Sequence, residues 1–587
     1  MAYSPAPDAK RAALLALLAW LLCSAAMLWL FRADFATLGF RDPDDAMRLA
    51  QVRDWFGGQA FWDVSQHRVN PPTGGPMHWS RIVDMPIAGL ILLLHPLLGM
   101  AMAELVTCAV VPLLLLGGLT AALFVAARRI AGMAVALLAV VLLLTAPSIL
   151  VQFTPLRIDH HGWQIMAAAL ALCGAMDSRP ARGGMVAGLA MALWLQISSE
   201  GLPYAALFAA LFALRHWIDR AETPRFVSFT VALGAAALLP LMLLRGPSAV
   251  LARHCDSLSF VYIWPLVGLG MATLIATCLI GSSTPLRRFL IAGIGGSAAL
   301  GTFALTGGPC LSGDPFAALG PLAYKLWYLQ VMEGRPIWEQ SRSMAGVILL
   351  PSLLGLIATL LAARRASGPA RMRWSTLALL LTGAMLVAIM VMRAVSVAHL
   401  FALPGTAWLL IALFRRVQAS VSAVVRVFGS VALVLLTPAG LCALWVAVAA
   451  TPEPAKKGSA NCRAASVLVP LRALPPASLF APLDLGPDIL VQTRHSVIGT
   501  AHHRNAAGIT AVIEGFVDAP DQARTVIGAT SASYVVTCEG LNEYRLYGEA
   551  NRKGLAALLA SETIPDWLEP LPTKGPLKIY RIRPPRS

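Results

Sequence analysis

Charged residues are scarce in this 587-residue chain: they make up 13% of it, against about 25% in an ordinary soluble protein, while 57% of the residues are hydrophobic. That balance excludes a soluble multidomain enzyme. Thiols with zinc-site spacing are also missing, so the nine cysteines do not specify a metal centre. No internal repeat or low-complexity tract is present, which argues against a solenoid or an inverted-repeat transporter. A cleavable leader is not expected either, because the first apolar run, 12–31, is long enough to span a membrane and lacks a small-residue cleavage site.

What the sequence has in quantity is long apolar runs. They recur through the first 450 positions and mark a polytopic membrane protein. The net charge of +16 is collected in short clusters between the runs, among them Arg128 and Arg129, Arg179 and Arg182, Arg215 to Arg225, Arg287 and Arg288, and Arg415 and Arg416. By the positive-inside rule these mark cytoplasmic loops, so the basic balance reports topology and not a nucleic-acid partner. Threading from Lys10 predicts about thirteen spans of roughly 20 residues, at 12–31, 101–127, 131–150, 162–177, 183–198, 201–217, 225–245, 260–281, 288–306, 343–363, 374–392, 397–414 and 427–449. The fold class expected is therefore mostly α. A polytopic helical bundle over 1–450 carries outer loops at 32–85 and 307–342. After the linker TPEPAKKG, an extracytoplasmic α/β domain occupies 451–587, where short apolar runs such as SYVVTC and LKIYRI alternate with helical stretches. An odd number of spans puts the C-terminus outside. Cys255, Cys310, Cys462 and Cys538 then fall on the outer side, and Cys255 with Cys310 and Cys462 with Cys538 are plausible pairs in an oxidising periplasm.

Function is expected in the outer segments. RDPDDAMR places Asp42, Asp44 and Asp45 at the start of a helix, with Arg48 one to two turns on. The acids suit a hard divalent cation, and equally suit the positive end of a helix dipole. TPLRIDHHGW offers Asp159, His160 and His161 beside Arg157. A charge there faces a cavity or a partner, and an Arg157–Asp159 salt bridge is the plain alternative. Glu333 lies in a third outer loop, and Arg393 opens a late span, where a planar permanent cation suits a phosphate headgroup or else snorkels to the interface. Glu200 reads as structural. Oxygen ligands converging from three loops suit Mg²⁺ or Mn²⁺, which leave positions open for a substrate phosphate.

Taken in order, these motifs resemble the catalytic subunit of the oligosaccharyltransferases, within the GT-C class of multispanning glycosyltransferases with lipid-phosphate donors. Asp42, Pro43 and Arg48 match the first-loop motif. Asp159 matches the second acidic motif, with His161 in place of its second acid and Gly162 following. Val331, Met332, Glu333, Pro336 and Trp338 resemble the outer-loop glutamate motif, and Arg393 the arginine that contacts the donor phosphates. One departure matters: where the family carries Trp-Trp-Asp-Tyr-Gly for its Asn-x-Ser/Thr acceptor, this chain has APLDLGPDIL, keeping Asp484 and Gly486 without the aromatic residues. The polar run after it, Arg494, His495, His502, His503 and Arg504, faces either the catalytic cavity or solvent.

The resemblance implies transfer of a sugar or oligosaccharide from a polyprenyl phosphate or diphosphate donor to a periplasmic protein or glycan, with inversion. Asp42, Asp159 and Glu333 would be catalytic and hold the metal, and Arg393 would hold the donor phosphate. Asp44, Asp45, Arg48, His161, Asp484 and Arg494 are secondary candidates. The competing readings are a lipid-linked sugar flippase and a polysaccharide polymerase. The Ala- and Arg-rich composition favours a bacterial inner membrane.

Overall fold

The computed structural model describes residues 9–311, 316, 319–449 and 461–584; the linker TPEPAKKG lies outside them. Among the described residues nine helices are long and apolar enough to cross a bilayer, from Ala9–Leu30 through Met100–Ala131 to Met392–Gln418. Two bent pairs, Met133–Leu143 with Pro147–Phe153 (63°) and Ala423–Leu436 with Pro438–Ala449 (79°), raise the number to eleven if each is one span. Helices form at all thirteen expected places, but two do not qualify as spans. His161–Ala175 has 15 residues, about 22 Å at 1.5 Å per residue, short of a hydrocarbon core of about 30 Å. Pro180–Ile197 has 18 residues with Arg182 and Gln196 near its ends. Both are wedged into the bundle through small residues. A Cβ on Gly184 or Gly188 would collide with the carbonyls of Arg225 and Phe229 on helix Thr223–Arg245, and one on Gly174 would collide with Gly183.

Four of the basic clusters, those of Arg129, Arg182, Arg215 with Arg225, and Arg288, meet at one end of the bundle. Arg129 and Arg182 both pair with Asp177, at 3.1 and 2.7 Å. Arg215 and Arg225 share Glu222 at 3.0 and 2.6 Å, and Arg288 Nε donates to the Trp217 carbonyl at 3.0 Å.

The other end carries a second hydrophobic core. Residues Phe40 to Ile91 of the first outer loop, Leu319 to Leu326, and the C-terminal residues from Cys462 onward pack into one cluster. Its sheet runs β2-β1-β3-β5-β4, with β1 Ser478–Phe480, β2 Ser496–Val497, β3 Ala532–Cys538, β4 Leu568–Leu571 and β5 Leu577–Ile582. β2 and β3 run parallel to β1, whereas β5 is antiparallel to both β3 and β4. Edge strand β2 is covered by the first loop: Asn70 N donates to Val497 O at 2.7 Å and Val497 N to Arg68 O at 2.9 Å. Both proposed cysteine pairs are disulfides, with Cα separations of 5.4 Å for Cys255–Cys310 and 6.1 Å for Cys462–Cys538.

One element had no counterpart in the sequence reading. Helix Asp84–Leu98 is apolar but only 15 residues long. It buries Ile87 and Ile91 in the outer core and leaves Leu92, Leu93 and Leu97 exposed. Gly99, at φ +74°, turns the chain from it into the span Met100–Ala131.

Arg48 belongs to this outer core and not to the site expected for it. Its guanidinium donates to Asp84 Oδ1 at 2.8 Å, Arg81 reaches Asp84 Oδ2 at 3.1 Å, and the Trp79 ring lies 4.1 Å from Arg48. Arg48 and Asp84 are 1% and 0% exposed, so removing one partner strands a buried charge. Asp84→Ala is expected to cost about 3–5 kcal/mol, read as a fall in thermal stability of the detergent-solubilised protein. Arg48→Met combined with Asp84→Leu should recover most of that loss.

Candidate functional site

Helix Pro43–Phe56 starts where its sequence dictates. Asp42 has extended dihedrals (φ −122°, ψ 137°), its side chain accepts from Asp44 N, and Pro43 takes the first helical position. The same turn carries Asp44 and Asp45, and Arg157 arrives opposite it after the chain passes Leu156 at φ +74°. Arg157 Nη1 donates to Asp42 Oδ2 at 2.6 Å and Asp45 Oδ2 at 3.1 Å, while Nη2 reaches Asp159 Oδ2 at 3.0 Å. Asp45 Oδ1 accepts from Asp159 N at 2.9 Å, and His161 Nδ1 lies 2.6 Å from Asp159 Oδ2. Burial opposes the charge on Asp159, but Arg157 and His161 outweigh it and hold the carboxyl far below its usual range. Burial raises Asp45, Arg157 only partly offsets this, and the charges of Asp159 and Asp42 add to the rise.

Asp42 and Asp44 open onto a cavity of 630 Å³ between the bundle and the C-terminal residues, which Glu200, Asp256, Glu333, Arg393 and Asp484 also line. His502 Nε2 lies 3.3 Å from Asp44 Oδ1. Burial works against the charge of Asp44, but the hydrogen bond and charge of His502 prevail and keep it well below the usual carboxylate range. Trp79 packs edge-on to His502 with ring centroids 5.2 Å apart. Farther along the cavity Arg393 pairs with Glu200 at 2.8 Å and Glu333 at 3.2 Å. A slot of 90 Å³ between helices, lined by Trp194, Tyr204, Val387 and Val397, opens at Glu200 and Arg393. A groove lined by Met27, Leu30, Phe31 and Leu144 ends on Asp42 and Arg157.

The expected residues therefore divide. Asp42, Asp44, Glu333, Arg393 and Asp484 line the cavity. Asp45, Asp159 and His161 are buried and tied to Asp42 through Arg157. Arg48 is withdrawn into the outer core, and Arg494 is exposed and outside the cavity lining. His502 and His503 face the cavity, whereas His495 is buried against Leu471 O at 2.8 Å. Glu200, expected to be structural, lines the cavity and pairs with Arg393. His78, Asp256, Asn542 and Glu543 also join the lining, and nothing in their local sequence marks them.

Among the described residues, Asp159, His160 and His161 present ligand atoms all within 4.8 Å of one another; Asp42, Asp159 and Glu333 do not form such a group as the side chains stand. His160 Nδ1 and His161 Nε2 are buried without a hydrogen-bond partner, an arrangement that suits a cation. Glu333 is held toward Arg393 instead.

The fold is similar to that of solved oligosaccharyltransferases, the fold that the resemblance implied. The archaeal oligosaccharyltransferase AglB from Archaeoglobus fulgidus, solved with an inhibitory peptide and a dolichol-phosphate, is similar with a TM-score of 0.65 and 14% identity over 92% of this chain and 71% of that one. An Archaeoglobus fulgidus oligosaccharyltransferase tethered to an acceptor peptide gives 0.60 at 12% identity, again over 92% and 71%. A complex with Zn and sulfate gives 0.54 at 14% identity, over 92% and 70%. No protein-family model and no curated protein sequence matches this chain.

Glu543 supplies a pH test of the cavity wall. Its carboxylate accepts from Leu483 N at 2.8 Å, Asp484 N at 2.9 Å and the Tyr547 hydroxyl. Burial and then the Asp484 charge push it up to about 8. A carboxyl whose folded value exceeds its unfolded one, about 4.3, stabilises the fold fully below that unfolded value and loses the contribution as pH rises through about 8. Thermal stability should thus fall between pH 5 and 8, and Glu543→Gln should flatten that dependence.

Proposed function

We propose that the chain is a membrane glycosyltransferase that moves a sugar or oligosaccharide from a polyprenyl phosphate or diphosphate donor to an acceptor on the outer face of a bacterial inner membrane. The observation that carries this is the meeting, in one cavity, of the acids of the first loop with an arginine that stands where an apolar slot enters from between helices. A lipid donor has two incompatible ends, and this geometry serves both: hydrocarbon among the helices, phosphate at Arg393 and sugar in the polar cavity. The fold shared with oligosaccharyltransferases supports the same reading.

In the reaction the bond from the anomeric carbon to the donor phosphate oxygen breaks, its electron pair staying on the phosphate, while an acceptor heteroatom bonds to that carbon. Attack opposite the leaving group inverts the centre. The acceptor's proton passes to a carboxylate open to the cavity, Asp42 or Glu333. Arg393, released from Glu200 and Glu333 when phosphate arrives, offsets the charge growing on the leaving oxygen. Asp42 and Asp159, with His161, would hold a divalent cation, which when bound supplies Lewis-acid neutralisation of the same phosphate. The mixed carboxylate and imidazole set suits Mn²⁺ better than Mg²⁺. Asp484, without neighbouring aromatics, leaves the acceptor a protein or a glycan.

Purified protein given a radiolabelled lipid-linked sugar tests this directly. Transfer should need a divalent cation, stop with EDTA and return with Mn²⁺. Asp42→Asn, Asp159→Asn and Arg393→Ala should each lower the rate by about 10²-fold or more. Equal transfer by all variants rejects the assignment, and movement of lipid across vesicles without a glycosidic product marks a flippase.

A further inference from the structure

A second constellation in the cavity wall lies outside the catalytic acids. His78 comes from the first outer loop, Asp256 from the loop next to the Cys255–Cys310 disulfide, and His503 from the C-terminal residues; all three line the cavity. One ligand atom of each lies within 4.8 Å of the others. His503 Nε2 is 2.7 Å from Asp256 Oδ2, and the His78 and His503 rings are 4.6 Å apart at 41°.

The surroundings are built to hold these groups. Arg504 grips Asp256 through Nε to Oδ2 and Nη2 to Oδ1, both at 2.7 Å, and also donates to Ser257 Oγ at 2.9 Å and Met77 O at 3.1 Å. Arg245 Nη2 donates to His78 O at 2.6 Å and fixes the backbone there. The hydrogen bonds satisfy Asp256 and His503 but not His78, whose Nδ1 is buried without a partner. A buried nitrogen of that kind calls for a ligand.

We propose that His78, Asp256 and His503 form a zinc-class cation site in the cavity wall, which fastens the C-terminal domain to the first outer loop and leaves its fourth position open to the cavity. Two imidazoles and one carboxylate are a three-ligand zinc set, and Arg504 behind the carboxylate is the outer partner such sites use. Bond lengths of about 2.0–2.2 Å to the cation require His503 and Asp256 to part by only about half an ångström. The site does not depend on the glycosyl-transfer reading, since none of its ligands belongs to the Arg157 group.

Chelator-stripped full-length protein in detergent, titrated with Co²⁺, tests it. An intense d–d absorption band of four-coordinate Co²⁺ should appear and saturate, disappear when Zn²⁺ displaces Co²⁺, and accompany a rise in Tm, whereas six-coordinate Co²⁺ at the catalytic acids absorbs far more weakly. His78→Gln and His503→Gln should abolish the band, Asp42→Asn should keep it, and Arg504→Gln should weaken binding by about 10–100-fold. Because a histidine variant can fail by misfolding, His503→Cys serves as the second test: it should restore binding with an added thiolate charge-transfer band. Absence of a band in folded wild type, its survival in both glutamine variants, or its loss in Asp42→Asn overturns the proposal.

Discussion

A single guanidinium organises the functional end of this molecule. Arg157 faces Asp42, Asp45 and Asp159, which come from two segments more than a hundred residues apart. Its rigid planar fork presents five donors and suits several carboxylates at once better than a lysine's flexible ammonium. It thereby locks the start of helix Pro43–Phe56 against the loop before His161 and holds Asp42 at the cavity wall. One permanent cation against three acids is an unfinished balance, which Asp45 meets by favouring its protonated form and His161 by bonding Asp159. A site already short of positive charge is a natural host for a dication or a phosphate's counter-charge.

The rest of the charge follows the same economy of placement. At the end of the bundle away from the cavity, Asp177 and Glu222 gather the arginines expected in cytoplasmic loops. At the cavity end, Arg393 stands where the apolar slot meets polar space, paired with Glu200 and Glu333. Between these layers the helices close on glycine contacts and bury few charges, as a lipid environment demands.

Much of this was legible in the residues. Apolar runs long enough to span located the helices, basic clusters marked helix ends that gather together, and the expected outer position of four cysteines was enough to suggest both bridges. Asp42, Asp159, Glu333 and Arg393 were visible because each is a charge beside an apolar run. Other features escaped for definite reasons. Helix Asp84–Leu98 is too short for a span and too apolar for a loop, so no single rule catches it. The helices at 161–175 and 180–197 read as spans because hydropathy does not register that they end short or polar. Arg48 and Arg494 carry the right charge in the right segment, yet packing took one into the core and left the other in solvent. Asp256 meets Arg504 across nearly 250 positions, and Glu543 sits in an ordinary surface-type helix; only the folded chain brings them to the cavity.

The strand edge at Val497, hydrogen-bonded to Arg68 and Asn70, has a consequence for biosynthesis. The first outer segment leaves the ribosome early, but the surface that completes it is encoded more than four hundred residues later. Until the whole bundle has been inserted, Val69, Trp79 and their neighbours have no finished shelter. The outer half is thus completed only when the last residues arrive, and a nascent chain stalled after its final membrane helix would display an apolar surface ready for capture by quality-control machinery.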